Sequence, residues 1–499
     1  MSIERLVFVV SLIGGILAAI SHALTLVDRV RHRRGMSGQT ANDIVGAAPP
    51  IEVGRRVSLF RRNWLFRWGL GAILLSIAAA SGLWSFRSGL VGRVGDERSA
   101  VSSGASVAVL PFRAVGGDSE GSVFADGLTE NVTSALTAVP GLLVIARHSV
   151  MSYKDRQPGL EQVGREQGVR HVVTGTVQWQ AQRVRVTVQM SEVATGRQRW
   201  SERYDRTPAD ILAVHDDIAV RIASALQVQL TEGDQARVRG SGTRNLEAWR
   251  LATLGFEAFL RYDAPSNAEA RRLLEEAVKT DPHYPWAWSA LGSARLIAAR
   301  FGFADSPEAT LASAEDALRR AIALDPQLAI AYGSLGSLHL VRHRFAEAEA
   351  DGRRALELAP GSSELHALMA QTLLFRGKFA EAIAQSQQAV RLSPRHPSWY
   401  LIWEAWGQVY AGQPQAGLEA AQRMFEIAES PNQRAVALDS IAFALAESGS
   451  VDAAHAAVLE ARKNVPDHGV GFHRRTMHFE DPKYFDRFAA RLTDAGLSE

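Results

Sequence analysis

Four prolines set a ruler along the second half of the chain. Pro282, Pro326, Pro360 and Pro394 follow Asp281, Asp325, Ala359 and Ser393. From 326 to 360 and from 360 to 394 the step is 34 residues; from 282 to 326 it is 44, the same unit with ten extra residues around 302–307. Other landmarks keep the phase. Ala277, Ala321, Ala355 and Ala389 lie five residues before the prolines, and Ala270, Ala314, Ala348 and Ala382 lie twelve before. Leu291-Gly292, Leu335-Gly336 and Met369-Ala370 follow nine and ten residues after. A repeat of this length is one pair of antiparallel helices, which cannot bury its own apolar face and must stack on its neighbours. Small residues belong where two helices cross closely, and Trp288, Leu291, Tyr332, Leu335, Phe345 and Phe379 belong between units. Proline ends each second helix, because it supplies no amide and disfavours helix in the residue before it.

The spacing and residue types resemble a tetratricopeptide (TPR) array. That resemblance implies a right-handed superhelix whose concave groove binds peptides or proteins. Further pairs extend it: 246–262 with 268–280 upstream, then 398–410 with 414–427 and 434–448 with 451–464 downstream. The repeat region is therefore expected over 246–465, about six pairs, with a tail at 466–499 holding a short capping helix over 482–492. In TPR proteins that clamp a terminal carboxylate, basic and amide residues occupy the fifth and ninth positions of the first helices. Here those positions hold Ser289 and Ser293, Gly333 and Ser337, Ala367 and Gln371, with no basic residue among them. A carboxylate clamp is not expected, and the ligand is expected to be a folded surface or a mixed apolar and polar peptide. Trp286, Leu340, Glu364 and Phe375 project toward the groove by the same count and are the candidate contacts.

The front of the chain has a different character. Residues 6–27 are a nearly continuous apolar run, long enough to cross a bilayer as a helix, and a second run covers 65–86. Trp64, Trp68 and Trp84 lie near the ends of the second run, where interfacial aromatics collect. Between the runs stand Arg29, Arg31, Arg33, Arg34, Arg55, Arg56, Arg61 and Arg62, against Asp28, Asp43 and Glu52. The positive-inside rule then predicts a first transmembrane helix within 1–27, a basic cytoplasmic loop at 28–64 and a second transmembrane helix at 65–86. Everything after the linker at 87–104 is expected on the periplasmic side of a bacterial inner membrane. The rival reading is a cleaved signal peptide ending near Ser21-His22-Ala23.

From 105 to 231 the pattern is that of a small α/β domain. Residues 106–112 read as a buried strand, 122–139 as a helix with Phe124, Leu128, Val132 and Leu136 on one face, and 142–145 as a second strand. A short helix follows at 160–167. Two long strands come next, at 169–180 and 182–193, the second alternating Val184, Val186, Val188 and Met190 with Arg183, Arg185, Thr187 and Gln189. A last strand at 197–204 and a helix from Pro208 to about 230 complete the order βαβαβββα. The segments Val107-Ala-Val-Leu-Pro-Phe112, Phe124-Ala-Asp-Gly-Leu-Thr-Glu130, Val144-Ile-Ala-Arg147, Gly175-Thr-Val177 and Trp200-Ser-Glu-Arg-Tyr-Asp205 resemble the TolB amino-terminal-like domain. In that family the domain follows a membrane helix and precedes TPR units, with a class III nucleotide cyclase or a winged-helix regulator on the other side of the membrane. Residues 28–64 are too short for either, so that output is not transferred.

Composition removes other classes. Lys and Arg number 55 against 53 Asp and Glu, which is no global signature for nucleic acid. The chain has no cysteine, which excludes disulfides, thiol catalysis and cysteine metal sites. Gly117-Asp118-Ser119-Glu120-Gly121 matches the G-x-S-x-G pattern, but Arg113 to Gly116 part it from the strand, so a polar loop is expected rather than a nucleophile elbow. His468, His473 and His478 recur at steps of five, which fits no helical face, so they are expected at the surface and no metal site is expected. Asn131-Val-Thr133 matches a glycosylation site but falls in a predicted helix. The expectation is a non-enzymatic, cofactor-free scaffold or sensor that binds protein partners and is anchored in the lipid bilayer. The alternative is a component relaying periplasmic binding to a separate cyclase or regulator.

Overall fold

The computed structural model describes residues 105–498 apart from 117–118, 155, 181–182, 209, 227, 229–241 and 467. The expected spans within 1–27 and 65–86, the loop 28–64 and the linker 87–104 lie outside these residues. Among the described residues no helix is long and apolar enough to cross a membrane.

Strand β1 (Ser106–Val109) is buried along its whole length, which suits its unbroken apolar run, and it lies inside the sheet. Strands β3 (Leu143–Val144) and β4 (His171–Gln180) pair with it in parallel, and β5 (Arg183–Glu192) and β6 (Gln198–Arg206) extend the sheet antiparallel in the order β3-β1-β4-β5-β6. In β5 the alternation has its expected consequence: Val184, Val186, Val188 and Met190 are buried while Arg183 and Gln189 face water. Helix α1 (Ser119–Thr137) buries Phe124, Leu128, Val132 and Leu136 in the same core.

The domain departs from the expected order in three places. Residues Arg113–Val115, expected as a spacer, form strand β2, which pairs in parallel with β4. Arg147–Met151 form a one-turn helix, α2, ahead of α3 (Leu160–Gln167). Pro208 does not open the last helix. Thr207 and Asp210 bind each other's side chains and backbone, a turn that gives way to a 3₁₀ segment (Ile211–Ala213) before α4 (Val214–Ala225) begins.

The remainder is helical. Six hairpins stand among the described residues: α5 (Leu246–Phe259) with α6 (Ala264–Thr280), α7 (Pro285–Phe301) with α8 (Pro307–Leu324), α9 (Ala329–Val341) with α10 (Phe345–Leu358), α11 (Ser363–Phe375) with α12 (Phe379–Leu392), α13 (Tyr400–Tyr410) with α14 (Pro414–Glu426), and α15 (Pro431–Glu447) with α16 (Val451–Asn464). This is a TPR-like solenoid. The ruler residues have local work. Asp281 and Asp325 end α6 and α8, and their carboxylates accept from the amides of His283 and Gln327, both at 2.9 Å, closing the turn around each proline. Six residues after their prolines, Trp288, Tyr332 and His366 hydrogen-bond the proline carbonyls at 3.0, 3.2 and 3.0 Å. Between the helices of every hairpin one residue has positive φ: Tyr262, Gly302, His343, Gly377, Gly412 and Gly449. Glycine takes this conformation without strain; Tyr262 and His343 do not.

Two further features join distant parts of the repeat. The α/β domain braces it. Phe124 packs on Trp249 of α5 at 5.1 Å between ring centres, and Gly127 makes room for that indole. From the same domain, the Thr137 carbonyl accepts from Gly361, Ser149 meets Ser393 at 2.9 Å, and Glu166 pairs with Arg395 at 2.6 Å. The second feature is the tail. It forms two helices, α17 (Val470–Thr476) and α18 (Lys483–Asp494), where one was expected. The tail returns along the ends of the first helices: Arg300 donates to the Thr476 carbonyl at 2.9 Å, Glu480 donates its amide to Phe375 at 2.8 Å, and Tyr410 donates to the Tyr484 carbonyl at 2.8 Å.

Candidate functional site

The four candidate groove contacts separate into two groups. Leu340 and Phe375 are fully covered in the core shared with the tail. Phe375 packs edge-on against Phe479 at 4.9 Å and Trp403 at 5.8 Å, so the tail occupies the ground a ligand would need there. This corrects their reading as open contacts; repeat counting places a residue on a helix face but does not register a segment a hundred residues later that folds onto it.

Trp286 and Glu364 remain partly accessible. Trp286 lies in the first turn of α7, pre-set by Pro285, with its ring edge-on to Phe256 at 5.1 Å and stacked on Tyr284 at 6.1 Å. It walls a small pocket where α1 of the α/β domain meets the first two hairpins, together with Asp126, Glu130, Arg147, Phe256 and Glu257. Lys154 pairs with Asp126 at 2.6 Å and Arg147 with Glu130 at 3.2 Å. Burial raises the Glu130 carboxyl against the pull of Arg147, and burial followed by the Asp126 charge raises Glu257. Asp126 and Glu130 are thus already met by cations, and the Glu257 carboxyl beside the aromatic wall favours a hydrogen-bond-donating group on whatever enters.

Glu364 lies in the first turn of α11, where Ser362 caps the helix. Burial, and then the Glu130 charge, lift its carboxyl to about 7. Tyr262 and Tyr400 stand near it: burial, reinforced by Glu364, holds both phenols above their ordinary range. Tyr262 nevertheless keeps 42 % of its surface accessible. Tyr262 takes its left-handed backbone at a hairpin tip where four of the five later hairpins use glycine.

The clamp count missed a cation here. None of the counted positions is basic, but Arg300, near the end of α7, reaches Gln371 on α11, whose amide, turned to present its oxygen, would accept from the two terminal guanidinium nitrogens at 2.7 and 3.0 Å. Burial lowers Arg300 to about 10, so it stays charged at neutral pH. Ser289 is buried with its hydroxyl unpaired, and Ser293 meets Ser334 at 2.8 Å. Arg300 binds the Thr476 carbonyl as well, so it holds the tail and α11 together.

The histidine reading is corrected too. His468, His473 and His478 are all buried, not at the surface. His468 lies ahead of α17 and His473 inside it, so a helical face is the wrong test for their spacing; the turn between them aims both Nε2 atoms at Asp439 of α15. Burial, with Arg300 and His343 nearby, drives His478 down to about 3. Ser119 opens α1 at an exposed position, and the Thr133 hydroxyl turns back to the Thr129 carbonyl at 2.7 Å.

No protein-family model matches the chain. Among curated proteins it is 44 % identical over 177 residues to a Rhizobium meliloti (strain 1021) protein named "Putative adenylate cyclase 3", a match covering 36 % of this chain. The chain spans about 30 % of that relative's length. Among solved structures, the chain is similar to YrrB, titled a TPR protein with an unusual peptide-binding site, at 18 % identity and TM-score 0.29 over 39 % of this chain and 93 % of that one. It is also similar to Pseudomonas aeruginosa PilF, at 18 % identity and TM-score 0.34 over 46 % and 96 %. PilW, titled a type IV pilus biogenesis factor, stands at 19 % identity and TM-score 0.36 over 45 % and 96 %.

Proposed function

We propose that this chain is a non-catalytic, membrane-anchored scaffold that binds a protein or peptide at the junction of its α/β domain and its TPR-like repeat. The observation carrying this reading is the pocket at that junction, where Trp286, Phe256 and Tyr284 stand beside the carboxylates of Asp126, Glu130 and Glu257. A peptide with a basic or amide-rich face and one large apolar side chain suits that chemistry. The α/β domain would be TolB-like, on the segments that carry that resemblance. Anchoring rests on the two apolar runs within 1–27 and 65–86, and orientation on the arginines of 28–64, which favour a periplasmic site.

A second reading has one observation in its favour: the identity to a relative named for an adenylate cyclase. On that reading the chain is the binding component of a signalling system, and 28–64 relays occupancy of the site to a separate enzyme or regulator. Two experiments test these readings. Alkaline phosphatase and β-galactosidase fused separately after Ser99 and after Pro50 read the topology; phosphatase activity at 99 with galactosidase activity at 50 supports the periplasmic site, and the reverse result ends it. A photo-crosslinking residue in place of Trp286 should then capture a discrete partner that the same residue in place of the exposed Val451 does not. Identical capture from both positions would refute the site.

A further inference from the structure

Asp439, His468 and His473 are brought together from two elements 29 or more residues apart, and all three are buried: 0, 6 and 1 % exposed. Their ligand-capable atoms lie within 4.8 Å of one another. Both imidazole Nε2 atoms approach one carboxylate oxygen, Asp439 Oδ2, that of His473 at 2.7 Å. The other oxygen, Oδ1, is buried with no hydrogen-bond partner. Aromatic rings seal the place: Phe488 lies 4.9 Å and Trp406 6.3 Å from the His473 ring, and Phe472 lies 5.5 Å from that of His468.

We propose that these three side chains form a structural zinc site that pins the tail to α15. A fully buried carboxylate is costly unless a cation or a full set of donors meets it, and here one of its oxygens meets nothing. Two neutral imidazoles and a carboxylate are a zinc donor set, and the otherwise bare Asp439 Oδ1 closes the remaining side of the ion as the second, longer contact of the same carboxylate. With ligand bonds of about 2.0 Å, tetrahedral ligand atoms stand about 3.3 Å apart, so His473 Nε2, 2.7 Å from Asp439 Oδ2, gives way by less than about 1 Å to admit the ion. The aromatic wall excludes water, as befits a closed structural site rather than a catalytic one. The inference stands independently of the proposed partner site. Its consequence is that the cover over Phe375 and Tyr410 is fastened at the point where the tail leaves the last hairpin.

The test uses the full-length chain, purified without an affinity histidine tag. Mass-spectrometric metal analysis should find about one zinc per chain, and Asp439→Asn and His473→Gln should each lower it at least about tenfold. Because either variant can unfold the tail, the wild type is also stripped with a chelator and titrated with zinc and with cobalt. Stripping should lower the melting temperature, zinc should restore it, and cobalt should give the visible absorption of a tetrahedral nitrogen–oxygen site. A folded wild-type chain with neither metal nor cobalt absorption, and with a melting temperature indifferent to the chelator, would show that the triad is held by hydrogen bonds alone and would overturn the proposal.

Discussion

Glu364 offers a prediction with a sign that is hard to obtain by accident. Its folded-state carboxyl stands near 7 against an ordinary 4.5, raised by burial and then by Glu130. A raised carboxyl means that folding favours the protonated form. No stability is lost below pH 4.5, and the loss accumulates as pH rises from there through about 7, then levels off. At about 1.4 kcal/mol per pH unit the full shift would cost about 3 kcal/mol. Part of the side chain touches solvent, and screening there reduces the cost to about 1–2 kcal/mol. Glu364→Gln keeps the shape and removes the charge. At pH 8 the variant should therefore be the more stable protein by about 1–2 kcal/mol, a few degrees in melting temperature for a chain of this size. At pH 4.5 the two should melt together. Thermal melts of both proteins at the two pH values decide it. A variant that is less stable at both, or whose advantage shrinks as pH rises, would show that the Glu364 carboxylate is paired and not left desolvated.

Three further outcomes follow from the packing. Gly127→Ala places a methyl group 2.5 Å from Trp249 Cη2; helix propensity favours alanine by under about 1 kcal/mol, overpacking costs about 1–3 kcal/mol, and denaturant melts should show a net loss. Phe479→Ala removes the ring that covers Phe375 and touches Tyr410 at 5.4 Å, and should cost about 3–5 kcal/mol while raising dye binding to exposed apolar surface. Ser149→Ala leaves Ser393 and the amide of Arg395 without their buried partner and should cost about 1–3 kcal/mol, with faster amide exchange confined first to 147–151 and 393–397.

What could be read from the residues alone is what depends on local period. Alanines at a fixed distance from prolines mark helix crossings because no larger side chain fits there, and Asp before Pro marks a turn because the carboxylate caps the next amides. Alternation in β5 exposed its buried face in the same way. Elements of three to five residues, β2 and α2, left no period to detect. The contacts that shape the candidate site are longer in range still. Nothing near Phe375 announces Phe479, nothing near Asp439 announces two histidines beyond the next helix, and Arg300 reaches Gln371 from outside the positions a clamp uses. Tyr262 carried a local clue, a bulky residue in a hairpin tip where four of the five later hairpins put glycine.

The brace between the α/β domain and the repeat bears on how the protein comes apart. A free solenoid is close to one-dimensional: each hairpin answers only to its neighbours, and the end units fray first. Here the first hairpin is tied through Trp249 to a domain that also grips the chain at Gly361, Ser393 and Arg395. Four hairpins are thereby enclosed in one loop, closed by contacts between residues up to 246 apart in sequence. Loss of any hairpin inside it strains the rest, so this segment should unfold as a unit while α13 to α16 rely on the tail for their own cohesion. Closing so long a loop is entropically slow, and the chain's folding rate should be set by that closure rather than by the helices within it.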